Sequence, residues 1–82
     1  MLNTLEELIK KIRERKKNPP ENSYTKKLLE NKDFSLAKVK EEIGELIEAV
    51  ETKTNTVHEA ADVLYHLVVY LEANNINIEN VM

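Results

Sequence analysis

The sequence predicts an all-α fold: a helical bundle built around an antiparallel helix pair and completed by homodimerisation. Three observations predict it. The 82 residues are 41% hydrophobic yet include one glycine and two prolines, a composition that suits helices and not a turn-rich all-β chain. Apolar residues recur at i, i+3, i+4 and i+7, the period of a buried helical face. Thr4 with Glu7, and Thr56 with Glu59, have the spacing of capping boxes.

The first helix is expected to start at Thr4, with Leu5, Leu8, Ile9 and Ile12 on one face. Asn18-Pro19-Pro20 ends it, because proline removes a donor and restricts its predecessor. Before that break lies a basic run, Arg13, Arg15, Lys16 and Lys17, which suits the negative end of a helix dipole. Ser23 is a good N-cap for a short helix over 24–30. Asn31-Lys32-Asp33 reads as a loop, and Asp33 or Ser35 then caps a third helix from Leu36 to Thr52. Its apolar positions, Leu36, Val39, Ile43, Leu46, Ile47 and Val50, have the near-heptad spacing of a bundle seam. Gly44 interrupts it at about 1 kcal/mol relative to alanine, a cost that close approach of another backbone would explain.

Thr54-Asn55-Thr56 is a turn, and Thr56 starts a fourth helix that runs to Ala73 and stops at Asn74-Asn75. Ala60, Val63, Leu64, Leu67, Val68 and Leu71 form its apolar face, while Val69 and Tyr70 extend that surface to the opposite flank. A helix apolar nearly all round wants burial on more than one side. One chain of this length cannot supply that, so a homodimer is expected. Asn77 looks like the N-cap of one further helix, over IENVM.

Length and charge narrow the function. Residues 1–82 are enough for a single domain. About 60% of the unfolded surface of so short a chain is buried on folding, a marginal core. Without cysteine there is neither a disulfide nor a thiolate metal site. A net charge of −3 gives no sign of a nucleic-acid partner. No apolar run approaches the roughly 18 residues of a membrane span. MLNTLEELIKK carries acids and no apolar h-region, unlike a signal peptide. A cytoplasmic location is expected.

Two acidic pairs carry the chemistry: Glu42 with Glu45, and Glu59 with Asp62. The i, i+3 spacing puts each pair on one helical face, and an antiparallel hairpin brings all four carboxylates together. Such a cluster repels itself unless something positive sits in it. The usual occupant is a hard divalent cation such as Mg²⁺, which takes oxygen ligands and holds phosphates. A glutamate-rich helix is commonly only a solvated face. Here, however, the acids flank the apolar stripe instead of opposing it. Glu59 has a competing explanation as the partner of the Thr56 cap. Asp62, between Ala61 and Val63 in an otherwise apolar run, has none, because aspartate is a poor interior helix former.

A site of this kind suits phosphoanhydride hydrolysis, with the cation neutralising phosphate oxygens and a spare carboxylate acting as general base. Lys38 lies one turn before Glu42 and either pairs with it on the surface or meets a phosphate. His66 lies four residues after Asp62 and either pairs with it or contacts substrate. Arg15, Ser23, Tyr24 and Thr25 gather guanidinium and hydroxyl groups of the kind that bind phosphate or ribose.

Three segments, ERKKNPPENSYTKKLLE, AKVKEEIGELIEAV and VHEAADVLYHLVVYLEANNINIENV, together resemble the phosphoribosyl-ATP pyrophosphohydrolases. These belong to the all-α NTP pyrophosphohydrolase, or MazG-like, superfamily, marked by Glu-Glu-x-x-Glu followed by Glu-x-x-Asp. The resemblance covers residues 13–81, and Pro-Pro-x-x-Ser-Tyr-Thr with Ala-Asp-x-Leu-Tyr-His is its more specific part. It implies a homodimer that hydrolyses the α–β anhydride of 1-(5-phosphoribosyl)-ATP to phosphoribosyl-AMP and pyrophosphate, the second step of histidine biosynthesis. It implies Glu42, Glu45, Glu59 and Asp62 as Mg²⁺ ligands. Glu41, Glu42 and Glu45 are then the candidate catalytic acids or bases, and Arg15, Ser23, Tyr24, Thr25, Lys38 and His66 the candidate substrate contacts. Lys40 stands where relatives commonly carry glycine, and relatives often continue past residue 82 into another helix. Phosphoribosyl-AMP cyclohydrolase, the next enzyme of the pathway, is the implied pathway partner. Two alternatives remain from other classes: a house-cleaning nucleoside triphosphate pyrophosphatase, which would share the acids, and a non-catalytic helical dimerisation module.

Overall fold

The computed structural model describes residues 2–18 and 23–81, the first two of these by backbone alone. All regular structure in them is helical: α1 (Leu2–Lys17), α2 (Tyr24–Glu30), α3 (Lys32–Thr52), α4 (Thr56–Ala73) and α5 (Ile78–Val81). The Pro19-Pro20 stop lies outside the described residues, but α1 does end at Lys17.

Helix starts are where the structure departs from expectation. α1 begins at Leu2, so Thr4 lies inside it and is not its cap; nothing in Leu2-Asn3 breaks a helical backbone ladder. The expected loop over 31–33 shrinks to Asn31. This residue closes α2, with its N–H donating to the Lys27 carbonyl, and opens α3, with its side chain accepting from the Phe34 N–H. Asparagine can serve both ends because its short amide competes well for backbone partners. Neither Asp33 nor Ser35 caps α3, and Ser35 is fully buried within it. Asn55, in the left-handed region at φ 53°, precedes α4 and makes no side-chain capping bond. Thr56 is therefore the first residue of α4. Its hydroxyl donates 3.3 Å back to the Ala49 carbonyl of α3, tying the two helices together at their turn.

α3 and α4 form the antiparallel hairpin and the largest helix–helix contact of the chain. Their facing stripes differ from the expected ones. Val39, Glu42 and Ala49 are buried on α3, and His66, Val69 and Ala73 on α4. Ile43, Ile47 and Val50, expected in the seam, are 43%, 55% and 55% exposed, and Leu64 on α4 is 50% exposed. The seam is thus rotated by about one residue, and it carries carboxylates. Gly44 has no outside atom within 4 Å of where a Cβ would sit, so packing within this chain does not require it.

α1 and α2 pack on the remaining side of α4. Ile9, Ile12, Leu28, Val68 and Val69 form the apolar core there, with Leu5, Leu8, Leu29, Tyr65 and Ile78 around it. Part of the basic run locks this arrangement. Arg13 Nε donates 2.8 Å to the buried Glu72 carboxylate, and its other nitrogens grip Glu79 at the start of α5. The guanidinium holds the Glu79 carboxyl down at about 2. Lys16 Nζ reaches the Glu72 carbonyl at 2.6 Å and the Asn75 side chain at 2.8 Å.

Leu28 is fully buried, and truncating such a side chain leaves a cavity. Leu28→Ala is expected to destabilise the chain by about 3 kcal/mol, measured by urea denaturation. A loss near zero would contradict this packing.

Candidate active site between α3 and α4

The rotated seam decides where the acids lie. Val39, Glu42, Leu46 and Ala49 follow i, i+3, i+7, i+10 on α3; Glu59, Asp62, His66, Val69 and Ala73 follow the same rhythm on α4. Each series is one continuous helical stripe. Glu42, Glu59 and Asp62 therefore sit on the contact stripe itself, and Glu45 lies on its flank. Glu42 is 8% exposed, while Glu45 lies at the solvent edge and Glu59 and Asp62 are half-buried.

One ligand atom from each of Glu42, Glu45 and Glu59 lies within 4.8 Å of the others, and His58, Glu59 and Asp62 form a second such group. Glu59 is common to the two groups, so the four expected acids are linked through it. With Thr56 not acting as a cap, the competing role for Glu59 disappears. Burial, then the proximity of Glu45 and of Asp62, pushes the Glu42 carboxyl up to about 7. Burial likewise raises Glu59, with Glu45 and Asp62 adding to it and His58 opposing it.

Oε2 of Glu42 and Oε2 of Glu59 are buried and have no hydrogen-bond partner among the described residues. Buried polar atoms are ordinarily paired, and buried carboxylates that repel one another are costly. A hard cation satisfies both demands, since it takes oxygen ligands and cancels the repulsion. The donor set fits such an ion.

His66 differs from expectation. Its Nε2 lies 3.7 Å from Glu42 Oε1, across the helix pair, an electrostatic contact longer than a hydrogen bond. Asp62 instead pairs with His58, Nε2 to Oδ2 at 3.4 Å. The cause is rotational: both histidines are four residues from Asp62, but His66 is on the buried stripe and His58 is exposed. The His66 ring is edge-on to Tyr24 at 5.8 Å and to Tyr65 at 5.1 Å. Burial, reinforced by Lys38, lowers its pKa. Lys38 also changes partner, binding Glu41 at 3.1 Å instead of Glu42, because Glu42 turns inward. Glu41 is exposed on that lysine and belongs to neither carboxylate group.

The segment over 23–25 fans out along the start of α2. Ser23 caps that helix, accepting from the Lys26 N–H at 3.4 Å, and also accepts from Arg15 Nη1 at 3.4 Å. Tyr24 points its ring edge at His66, and Thr25 is buried with its hydroxyl bonded to Tyr65. Three residues escaped the sequence reading. His58 had the same i, i+4 spacing to Asp62 as His66 and was overlooked. Tyr65 stands inside the quoted Ala-Asp-x-Leu-Tyr-His segment. Ser35, read only as a possible cap, is buried, and its Oγ lacks a partner among the described residues.

Comparison with known proteins identifies the family. The phosphoribosyl-ATP pyrophosphohydrolase family matches residues 5–82. A phosphoribosyl-ATP pyrophosphatase of Bacillus cereus is 42% identical over 85 residues, covering 100% of this chain and 79% of that protein. One from Rhizobium johnstonii is 44% identical over 82 residues, covering 96% of this chain and 77% of that protein. A histidine biosynthesis trifunctional protein of Kluyveromyces lactis is 45% identical over 74 residues, 90% of this chain but 9% of that protein. No solved structure matches the chain. The chain belongs to the phosphoribosyl-ATP pyrophosphohydrolase family.

The Glu42 carboxyl near 7 has a consequence for stability. Its folded value lies above the ordinary glutamate value of about 4.3, so its proton favours folding. That contribution is complete below pH 4 and fades as pH rises through 7. In chelator-treated protein, Glu42→Gln should gain in melting temperature relative to the unsubstituted chain between pH 5 and pH 8. A difference that does not change with pH would contradict the burial of a repelled carboxyl.

Proposed function

We propose that this chain hydrolyses the α–β anhydride of 1-(5-phosphoribosyl)-ATP, releasing phosphoribosyl-AMP and pyrophosphate as the second step of histidine biosynthesis. The observation that carries this reading is the convergence of Glu42, Glu45, Glu59 and Asp62 on one helix seam, in a chain matched along residues 5–82 by the family. The names of its relatives support the same substrate.

Glu42, Glu45, Glu59 and Asp62 would hold Mg²⁺. Mg²⁺ bound there supplies positive charge against phosphate oxygens and acidifies water. The chain's own residues do the rest. Water adds at the anhydride, the bridging P–O bond breaks, and pyrophosphate leaves with the electron pair while a carboxylate takes the proton. Among the candidates Glu41, Glu42 and Glu45, Glu41 stands outside both carboxylate groups, so an ion leaves it free to act as general base. Its partner Lys38, 3.1 Å away, is then placed to meet a phosphate oxygen. His66, whose pKa burial lowers, stays packed against Glu42. Arg15, Ser23, Tyr24 and Thr25 line the approach from α1 and α2.

The 82 residues act as one catalytic domain and pair as a homodimer. Ile43, Ile47, Val50, Leu64 and Leu67 leave an apolar strip exposed along the outside of α3 and α4, a surface that asks for a partner. A second copy completes a bundle around that strip. The occurrence of a related segment inside a trifunctional histidine biosynthesis protein supports a working partnership with phosphoribosyl-AMP cyclohydrolase, which consumes the product. No described helix is long and apolar enough to cross a membrane, which accords with a cytoplasmic enzyme.

Pyrophosphate release from phosphoribosyl-ATP, with and without Mg²⁺ and beside a panel of ordinary and deoxynucleoside triphosphates, tests the reaction. Mg²⁺-dependent release from phosphoribosyl-ATP is expected; turnover of the panel alone would mean a house-cleaning pyrophosphatase instead. Asp62→Asn should lower kcat by at least about 100-fold while circular dichroism stays unchanged; retained activity would remove Asp62 from the site. Ile47→Lys should shift sedimentation from dimer to monomer, and an unaltered sedimentation coefficient would argue against this face.

A further inference from the structure

A small pocket opens between α1, α2 and α4, away from the carboxylates. Leu8, Lys11, Ile12, Arg15, Thr25 and Tyr65 line its volume of about 190 Å³. Its chemistry is divided. Leu8 and Ile12 belong to the apolar layer, with Ile12 2% exposed. Lys11 and Arg15, one helical turn apart, bring two cations, and Thr25 and Tyr65 bring two hydroxyls bonded to each other. The two cations are oriented differently from their neighbours. Arg13 and Lys16 are committed to Glu72 and Glu79, whereas Lys11 and Arg15 meet no carboxylate among the described residues; Arg15 touches only the Ser23 hydroxyl. Two cations with hydroxyl donors over an apolar floor make a site for a phosphate monoester.

Packed side chains relate the pocket to the acidic seam. Tyr65 forms its wall, the Tyr65 ring lies 5.1 Å from that of His66, and His66 lies 3.7 Å from Glu42. A ligand reaching from one place to the other must carry two phosphorylated ends. Phosphoribosyl-ATP is such a molecule: a triphosphate on one side of the adenine and a ribose 5-phosphate on the other. We propose that Lys11 and Arg15, with Thr25 and Tyr65, bind the 5-phosphate of the phosphoribosyl group and so discriminate phosphoribosyl-ATP from ATP. This assignment rests on the hydrolase reading above and adds to it Lys11, Tyr65 and the part of the substrate that each end of the site receives.

The test pairs a change in the enzyme with a change in the substrate. Wild type and Lys11→Ala/Arg15→Ala are assayed on phosphoribosyl-ATP and on 1-ribosyl-ATP, which lacks only the 5-phosphate. Both residues are exposed, so the fold should survive, and circular dichroism checks it. Wild type should favour the phosphorylated compound by at least about tenfold in kcat/KM, the effect of a charge-assisted contact. The double variant should lose that preference through a higher KM for phosphoribosyl-ATP, with kcat nearly constant. A preference that survives the substitutions, or none in wild type, overturns the assignment while leaving the hydrolase reading intact. Failure of wild type to hydrolyse either compound overturns the hydrolase reading itself, and this assignment with it.

Discussion

The feature on which the rest depends is a carboxylate in a helix seam. Glu42 occupies the stripe by which α3 faces α4, where an apolar side chain would pack at no electrostatic cost. Glu45, one turn along α3, and Asp62, across the seam, raise the repulsion further. Natural sequences break local rules of this kind mainly where function demands it. The rotation that brings the acids inward also turns Ile43, Ile47 and Leu64 outward. The carboxylate cluster and the exposed apolar face are therefore two results of one choice of helix phase. A chain that packed Ile43 and Ile47 inward would turn Glu42 outward and lose the cluster.

The same logic of phase divides the basic run of α1. Arg13 and Lys16 point toward the end of α4 and fasten it, together with α5, through a buried carboxylate. Lys11 and Arg15 lie on another side of the helix and border a pocket of hydroxyls. The cations of this helix thus serve stability and recognition separately, according to a rotation of about 100° per residue.

Much of this was legible in the sequence. The five helices, the hairpin, and the gathering of Glu42, Glu45, Glu59 and Asp62 follow from periodicity and from i, i+3 spacing. The errors share a physical cause. Capping-box spacing points to Thr4 and Thr56, but a cap is set by backbone angles that spacing does not fix: α1 begins earlier, at Leu2, and Asn55 takes the boundary of α4. The seam was drawn through Ile43, Ile47 and Val50 because apolar residues ordinarily mark the buried face; the true stripe includes acids and could not be found by hydropathy. Helical spacing leaves His66 either paired with Asp62 or against substrate, and it lies across the hairpin from Glu42 instead of pairing with Asp62. Of the two roles that spacing allows Lys38, the pair with Glu42 does not form, and Lys38 binds Glu41. Tyr65, whose hydroxyl reaches Thr25 across forty positions of sequence, depends on tertiary packing that no local pattern reveals.

Mg²⁺ titration by calorimetry tests the central claim most directly, that the seam carboxylates are held together for a cation. It should be run near pH 7 in buffers of different ionisation enthalpy. The account predicts saturable binding accompanied by proton release, because Glu42, poised near 7, must ionise to become a ligand; Asp62→Asn should weaken the binding. No binding, or binding that is proton-neutral and indifferent to Asp62→Asn, would contradict it.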